Sequence, residues 1–206
     1  MVKAKAPRNK TLELSPKEIA LYASKAVKLS QKSNLTDVIN RVIRQDSFKA
    51  LDLLPDGCID LMIVDPPYNL TKNFGKSTFK EMDFDAYKKW LDKWLKKTVR
   101  LLKDNASIYI CADWKTSICI PEAAGKYFIL RNRISWEREK GRGAKDNWKN
   151  CLEDIWFFTK GKDYTFNIDA VKVQRPVIAP YRNEKGEPKD WQEKGKQRFR
   201  LTHPSN

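Results

Sequence analysis

The sequence predicts an α/β chain built on a doubly wound, Rossmann-like sheet, and three observations carry that expectation. Three short apolar runs, Ile59–Val64, residues 106–111 (ASIYIC) and residues 152–159 (LEDIWFFT), have the length and the β-branched or aromatic content of strands. Between the first two lies a segment, residues 83–102, whose apolar positions Phe84, Tyr87, Leu91, Trp94, Leu95, Thr98 and Leu102 follow the helical period. The run at 59–64 is apolar on both faces apart from Asp60, which suits a strand in the middle of a parallel sheet covered by helices on both sides. Strands alternating with helices point to that architecture.

The elements follow in order along 206 residues, a length that supports one main domain with appendages. The first ten residues, MVKAKAPRNK, read as a basic arm. Ser15, Pro16 and Glu18 have the spacing of a capping box with proline in the first turn, opening a helix that runs to about Ser30. Residues 38–44 alternate as a short strand. Residues 47–54 carry Phe48, Leu51 and Leu54 at helical spacing before Pro55-Asp56-Gly57 turns the chain. Asp104-Asn105 reads as the break between the long helix and the strand at 106–111. A helix over 116–127, a strand over 129–136 and a charged, glycine-containing stretch at 137–149 precede the strand at 152–159. Beyond Gly161 the periodicity dissolves into four prolines, lysines, arginines and scattered aromatics. The chain thus divides into an arm and helix (1–35), a sheet-forming part (36–160) and a basic, loop-rich segment (161–206).

Composition narrows the partners. Lysine and arginine number 41 against 26 aspartates and glutamates, a formal net charge of +15 that favours a polyanion such as nucleic acid. The excess sits in two regions, with 11 basic and 4 acidic residues in 1–50 and 8 against 3 in 126–149. Cys58, Cys111, Cys119 and Cys151 form no CxxC pair, and His203 is the single histidine, so a metal site is not expected and reduced thiols are. No signal-peptide core and no apolar run of about 18 residues is present, which leads to the expectation of a cytoplasmic protein without a membrane span.

The stretch Asp60 to Asn69, DLMIVDPPYN, is where chemistry enters. Ligands of open α/β sheets bind outside the carboxyl ends of strands, and Asp65 stands at such an end. Pro66 and Pro67 fix two successive φ angles and remove two N–H donors, leaving a stiff loop with carbonyl acceptors. Tyr68 adds an aromatic face. A carboxylate, a prolyl carbonyl and a ring held together suit a planar ligand bearing an amino group. Asp-Pro-Pro is also an ordinary way to end a strand, and the residues by themselves leave both readings open.

Asp65-Pro66-Pro67-Tyr68 after an apolar strand resembles the catalytic motif of the β-class amino-group (N6-adenine/N4-cytosine) DNA methyltransferases. Gln45-Asp46-Ser47-Phe48 with Leu53 through Leu61 resembles their lead-in, and Trp136-Glu137-Arg138, Asn147-Trp148-Lys149-Asn150 and Glu153 through Lys160 resemble the region leading to target recognition. The similarity covers roughly residues 36–160. It implies S-adenosylmethionine as cofactor, a base flipped out of duplex DNA, and a place in a restriction-modification system. It implies Asp65, Pro66, Pro67 and Tyr68 as catalytic residues, with Asp65 and the Pro66 carbonyl on the amine, Tyr68 stacking and Asn69 supporting the loop. An initial Asp favours adenine N6. Asp46 and Asp65 would border the cofactor, with Asp46 by its adenine; a helix-capping role for Asp46 stays open. Lys140, Arg142, Lys145, Trp148 and Lys149 are candidates for DNA contact, or else a solvated loop with its tryptophans packed below.

One element of that family is missing. None of the eight glycines lies in a Phe-x-Gly-x-Gly loop after a strand, and Gly141-Arg142-Gly143 sits among charges. The expectation is therefore an incomplete doubly wound methyltransferase sheet, from a truncated product or one subunit of a split enzyme, its partners being DNA and a complementary chain carrying the glycine-rich motif. A non-catalytic DNA-binding remnant is the alternative. A protein glutamine amide is disfavoured by Asp65, and RNA adenine presents the same amine as DNA.

Overall fold

The computed structural model describes residues 12–74, 77–142, 145–146, 148–176, 184–185 and 199–202. In chain order the elements are α1 (Pro16–Lys25), α2 (Leu35–Val38), α3 (Ser47–Leu53), β1 (Ile59–Val64), β2 (Lys72–Asn73), β3 (Thr78–Phe79), α4 (Phe84–Thr98), β4 (Leu102–Asp113), α5 (Cys119–Ala124), β5 (Ile129–Arg142), β6 (Asn150–Thr159), a 3-10 turn (Ile168–Val171), β7 (Val173–Pro176) and β8 (Phe199–Thr202). The main sheet has the order β1-β4-β6-β5. β1 runs parallel to β4, Met62 opposite Ile108 and Val64 opposite Ile110. β6 is antiparallel to both of its neighbours, pairing Ile110 with Trp156 on one side and Ile134 with Ile155 on the other. β1, β4 and β5 therefore end at the same edge, where β6 begins.

One face of the sheet carries the core. Along β4, Ala106, Ile108, Ile110 and Ala112 are buried at alternate positions, as the two-residue period of a strand requires. Over them lies α4, started by Asp83, whose side chain accepts the Ala86 N–H at 2.7 Å. Its buried stripe is Tyr87, Leu91, Trp94, Leu95 and Thr98. α5 adds Cys119, Ile120, Ala123 and Ala124, and Met62, Phe128 and Phe158 close the cluster. The two helices are tied by Lys88 to Glu122 at 2.7 Å and by Asp92, which accepts from Tyr127 at 3.0 Å and Lys126 at 3.1 Å. Lys126 and then Tyr127 hold the Asp92 carboxyl below its usual range. A depressed carboxyl contributes stability above its unfolded value, lost as pH falls through the folded one. Acid titrations of Asp92→Asn and the parent should differ slightly near neutrality and converge at the acid end, as followed by circular dichroism.

The other face is different. Tyr109 stacks on Phe157 at 4.6 Å, and Phe157 on Phe166 at 6.0 Å, so the segment after β6 covers the sheet's middle. Toward β1 the cover ends: Leu61 is 54% and Ile63 69% exposed. The sequence predicted β1 in the middle of a parallel sheet; among the described residues it is an edge strand with helices on one side only. An apolar run records the burial a strand is suited to, not which segment supplies it.

Other expectations shift for local reasons. The capping box at Ser15 and Glu18 forms, and α1 stops at Lys25, before the expected end. Residues 38–44 are not a strand: the Asn34 N–H donates to Asp37 at 2.8 Å to start α2, and Asn40 takes φ of 55°. What remains is a single bridge between Val27 and Ile43. Asp104 and Asn105 lie inside β4, at an irregularity where its register with β1 shifts between Leu102 and Ser107. The helix predicted over 116–127 contracts to α5, and the strand over 129–136 extends to Arg142. Among the described residues no helix is long and apolar enough to cross a membrane.

Candidate functional site

The topology gathers the candidate residues at one edge. Asp65 follows the last residue of β1, Asp113 ends β4, and Glu153 near the start of β6 stands opposite both Asp113 and Trp136. Past that point β5 and β6 leave β4 behind and continue as an arm. Arg142 pairs with Asn150, three residues before Glu153, across an irregularity in the ladder, so the paired arm reaches about 10 Å beyond the edge.

At the end of β1 the Asp65 carboxylate is exposed, Pro66 is buried, and Pro67 and Tyr68 are half-buried. The chain then turns sharply at Asn69, whose φ is 34°. Asn69 is buried, its side-chain amide donating to the Met82 carbonyl at 2.7 Å while its oxygen accepts the Met82 N–H at 3.0 Å. This paired clamp fixes the loop to the segment before α4, the supporting role expected of Asn69. The Pro67 carbonyl accepts the Asn69 N–H at 2.9 Å and the Tyr87 hydroxyl at 2.8 Å. Burial pushes the Tyr68 phenol well above its usual range, and its hydrogen bond to Asp65 adds to that, with Glu153 and Cys111 contributing their fields. Asp65, Tyr68, Cys111 and Glu153 therefore form one neighbourhood, and burial raises the Cys111 thiol as well. An exposed acid and a half-buried aromatic ring therefore meet at this edge.

The floor of the edge is a polar network. The Asp113 carboxylate accepts the Thr116 N–H at 2.8 Å and the Thr116 hydroxyl. Ser117 donates to Asp154 at 2.5 Å and accepts the Trp156 indole N–H at 2.8 Å. Arg138 pairs with Glu153 at 2.5 Å. Sequence reasoning passed over Tyr87, Asp113, Thr116 and Glu153. Tyr87 had a usable signal: a tyrosine at a core position of an amphipathic helix needs a partner for its hydroxyl.

The basic candidates lie on the arm. β5 carries positions 140 and 142, and Lys145, Trp148 and Lys149 are exposed, Trp148 to 96%. A tryptophan so bare is not packed beneath the loop, so the alternative of two buried aromatics fails for it. Positions 143, 144 and 147 lie outside the described residues, as does most of 177–206. Asp46 is exposed and caps α3, accepting the Lys49 N–H at 3.0 Å; of its two readings, this is the one the geometry displays.

The carboxylates of Asp46 and Asp65, the two residues expected to border S-adenosylmethionine, are both on exposed residues, and among the described residues no glycine cradle accompanies them. Gly57 serves a turn at φ of 56°, and a side chain at Gly125 or Gly161 would meet a backbone carbonyl at 2.5 Å, so these three glycines answer to the fold.

The chain is similar to known proteins in sequence and in fold. The family model for DNA methylases matches residues 59–200. The Type II methyltransferase M.HpaI of Haemophilus parainfluenzae is 34% identical over 151 residues, covering 71% of this chain and 47% of its own length. The DNA adenine methyltransferase YhdJ of Escherichia coli is 33% identical over 137 residues, covering 65% of this chain and 46% of itself. The chain thus spans about half the length of these relatives. Among solved structures, the PvuII DNA methyltransferase (cytosine-N4-specific) superposes with a TM-score of 0.51 at 18% identity, over 68% of this chain and 54% of that one, a likeness of fold.

Proposed function

The chain belongs to the DNA methylase family, and from that premise we propose that it is the catalytic part of a site-specific DNA methyltransferase of a restriction-modification system, acting on adenine N6. The observation that carries the reading is the Asp65-Pro66-Pro67-Tyr68 loop at the strand edge from which a basic arm projects, with Asp65 exposed and hydrogen-bonded to the half-buried Tyr68. The leading Asp of the motif supports adenine, as does the 33% identity to a relative named as an adenine methyltransferase.

An exocyclic amine is a poor nucleophile because its lone pair is delocalised into the ring. Two acceptors held out of the ring plane draw its N–H bonds toward tetrahedral geometry and free the lone pair. Asp65 and the Pro66 carbonyl are those acceptors, and Tyr68 holds the flipped base by stacking. When bound, S-adenosylmethionine supplies an electrophilic methyl group; alignment of the amine with it is the larger part of the catalysis. Asp65, exposed to solvent, receives the proton the amine sheds and passes it to water.

The arm is the DNA contact. Lys140, Arg142, Lys145 and Lys149 meet phosphates, and Trp148 steadies the extruded nucleotide. Replacing Lys145 or Lys149 with Ala should lower the slope of log affinity against log salt by about 0.9 each on duplex DNA, measured by fluorescence anisotropy. An unchanged slope removes that lysine from the interface.

The bare edge of β1 supports a further reading, that a complementary segment with the glycine-rich loop completes the sheet beside it, brings its own cofactor contacts next to Asp46 and Asp65, and makes the enzyme whole. The decisive assay supplies that segment and follows labelled methyl transfer into duplexes with adenine or cytosine as the only methylatable base. Label in adenine, absent from an Asp65→Ala control, supports the proposal; label in cytosine overturns the base assignment. DNA binding without transfer favours a second reading, a non-catalytic DNA-binding subunit, for which the missing glycine loop already speaks.

A further inference from the structure

Two consecutive prolines offer two carbonyls at the end of β1, and among the described residues only that of Pro67 is engaged by protein donors. A carbonyl oxygen has two lone pairs, and both of those on Pro67 are engaged, by the Asn69 N–H at 2.9 Å and the Tyr87 hydroxyl at 2.8 Å. Among the described residues none donates to the Pro66 carbonyl. Tyr87 reaches the loop from one turn inside α4, where it is fully buried. Its ring is fixed by stacking on Trp90 at 5.7 Å and by the edge of Phe79 at 6.5 Å. Beside its hydroxyl lie Thr116 and Asp113, from the end of β4. A phenylalanine would fill the same space and leave the half-buried Pro67 carbonyl with the Asn69 N–H alone. The hydroxyl is thus the part of Tyr87 that packing does not require.

We propose that Tyr87 is a positioning residue: with Asn69 it occupies the Pro67 carbonyl, and so fixes the turn that leaves the Pro66 carbonyl beside Asp65 as the acceptor a base amine meets. The inference rests on the methyltransferase reading and deepens it. It also joins the two strand ends of the site, since the hydroxyl that holds the β1 loop sits in the field of the β4 terminus. Small errors in the placement of reacting groups cost large factors in rate, so a hydroxyl with no contact to substrate has leverage on turnover.

The test is Tyr87→Phe in the full chain. On the chain alone, amide exchange at Asn69 and Met82 should accelerate about tenfold, the loss expected of one hydrogen bond. With the complementary segment supplied, kcat should fall by about ten- to a hundredfold while KM for DNA stays within about twofold. Leu91→Ala, in the core of the same helix, is the comparison: it should lower Tm further than Tyr87→Phe and leave turnover per folded molecule unchanged. Wild-type kcat in the Tyr87→Phe protein, or unaltered exchange at Asn69, overturns the proposal. If the complemented parent itself transfers no methyl groups, the methyltransferase reading fails, and the exchange result by itself decides whether Tyr87 holds the loop.

Discussion

Asp65→Ala should reduce methyl transfer by the complemented enzyme by at least about a hundredfold while leaving DNA affinity within about twofold. The magnitude follows from what is removed. One of the two preorganised acceptors that raise the nucleophilicity of the amine disappears, a loss comparable to deleting an oxyanion-hole donor, for which about 10²–10³ in kcat is usual. The Pro66 carbonyl cannot replace it, because that oxygen already has its own N–H to accept. DNA affinity is spared because the phosphate contacts belong to the arm, on other elements. Asp65→Asn sharpens the result: an amide keeps one acceptor oxygen and presents two donors, so the variant should retain more activity than Ala provided the oxygen faces the base. Single-turnover methylation with saturating DNA separates the chemical step from binding. An Asp65→Ala enzyme that turns over at the parent rate would take the strand-end acid out of the chemistry altogether.

The largest effect on stability is expected in the sheet's centre. Phe158 is fully buried in β6 and faces the helices, opposite Ile108 of β4 and Leu130 of β5. Phe158→Ala should cost about 3–5 kcal/mol, the sum of lost transfer energy and an unfilled cavity. Against a typical total of about 5–15 kcal/mol, the variant will be partly unfolded at room temperature or close to it. Ile63→Ala is the counterpart on the open side of β1. It should change stability by less than about 1 kcal/mol, because the isoleucine surrenders little buried surface. Urea unfolding of both variants measures the contrast. If Ile63→Ala proves as costly as Phe158→Ala, the open face is covered in solution.

Much of the site was legible because its signals are local. Asp65-Pro66-Pro67-Tyr68 declares a stiff acceptor loop through the chemistry of proline alone, and the apolar run ahead of it locates the strand end. The stripe from Tyr87 to Thr98 is a periodicity that only a helix uses, and α4 appears with boundaries close to those expected. The capping box at Ser15 is likewise decided within four residues. Failures came where the deciding contact is distant. Residues 38–44 alternate like a strand but find only the single bridge from Ile43 to Val27 to pair with, and local capping by Asp37 took over the start of that stretch. Asp104 and Asn105 look like a break and fall where the pairing of β4 with β1 is irregular, between Leu102 and Ser107, so the signal marks a local interruption inside one strand.

The sequence by itself determined the stiff Asp-Pro-Pro-Tyr loop at a strand end, the α/β class and the basic charge that favours a polyanionic partner, since each depends on residue types and short spacings. Tertiary structure alone decided that β6 runs against its neighbours, so that the arm and the Asp65 loop share one edge. It decided that Tyr87 reaches across 20 positions of chain to occupy the Pro67 carbonyl. The reason is physical: φ restrictions and periodicities act over a few residues, whereas strand order and the partner of a buried hydroxyl depend on which distant segments the core draws together.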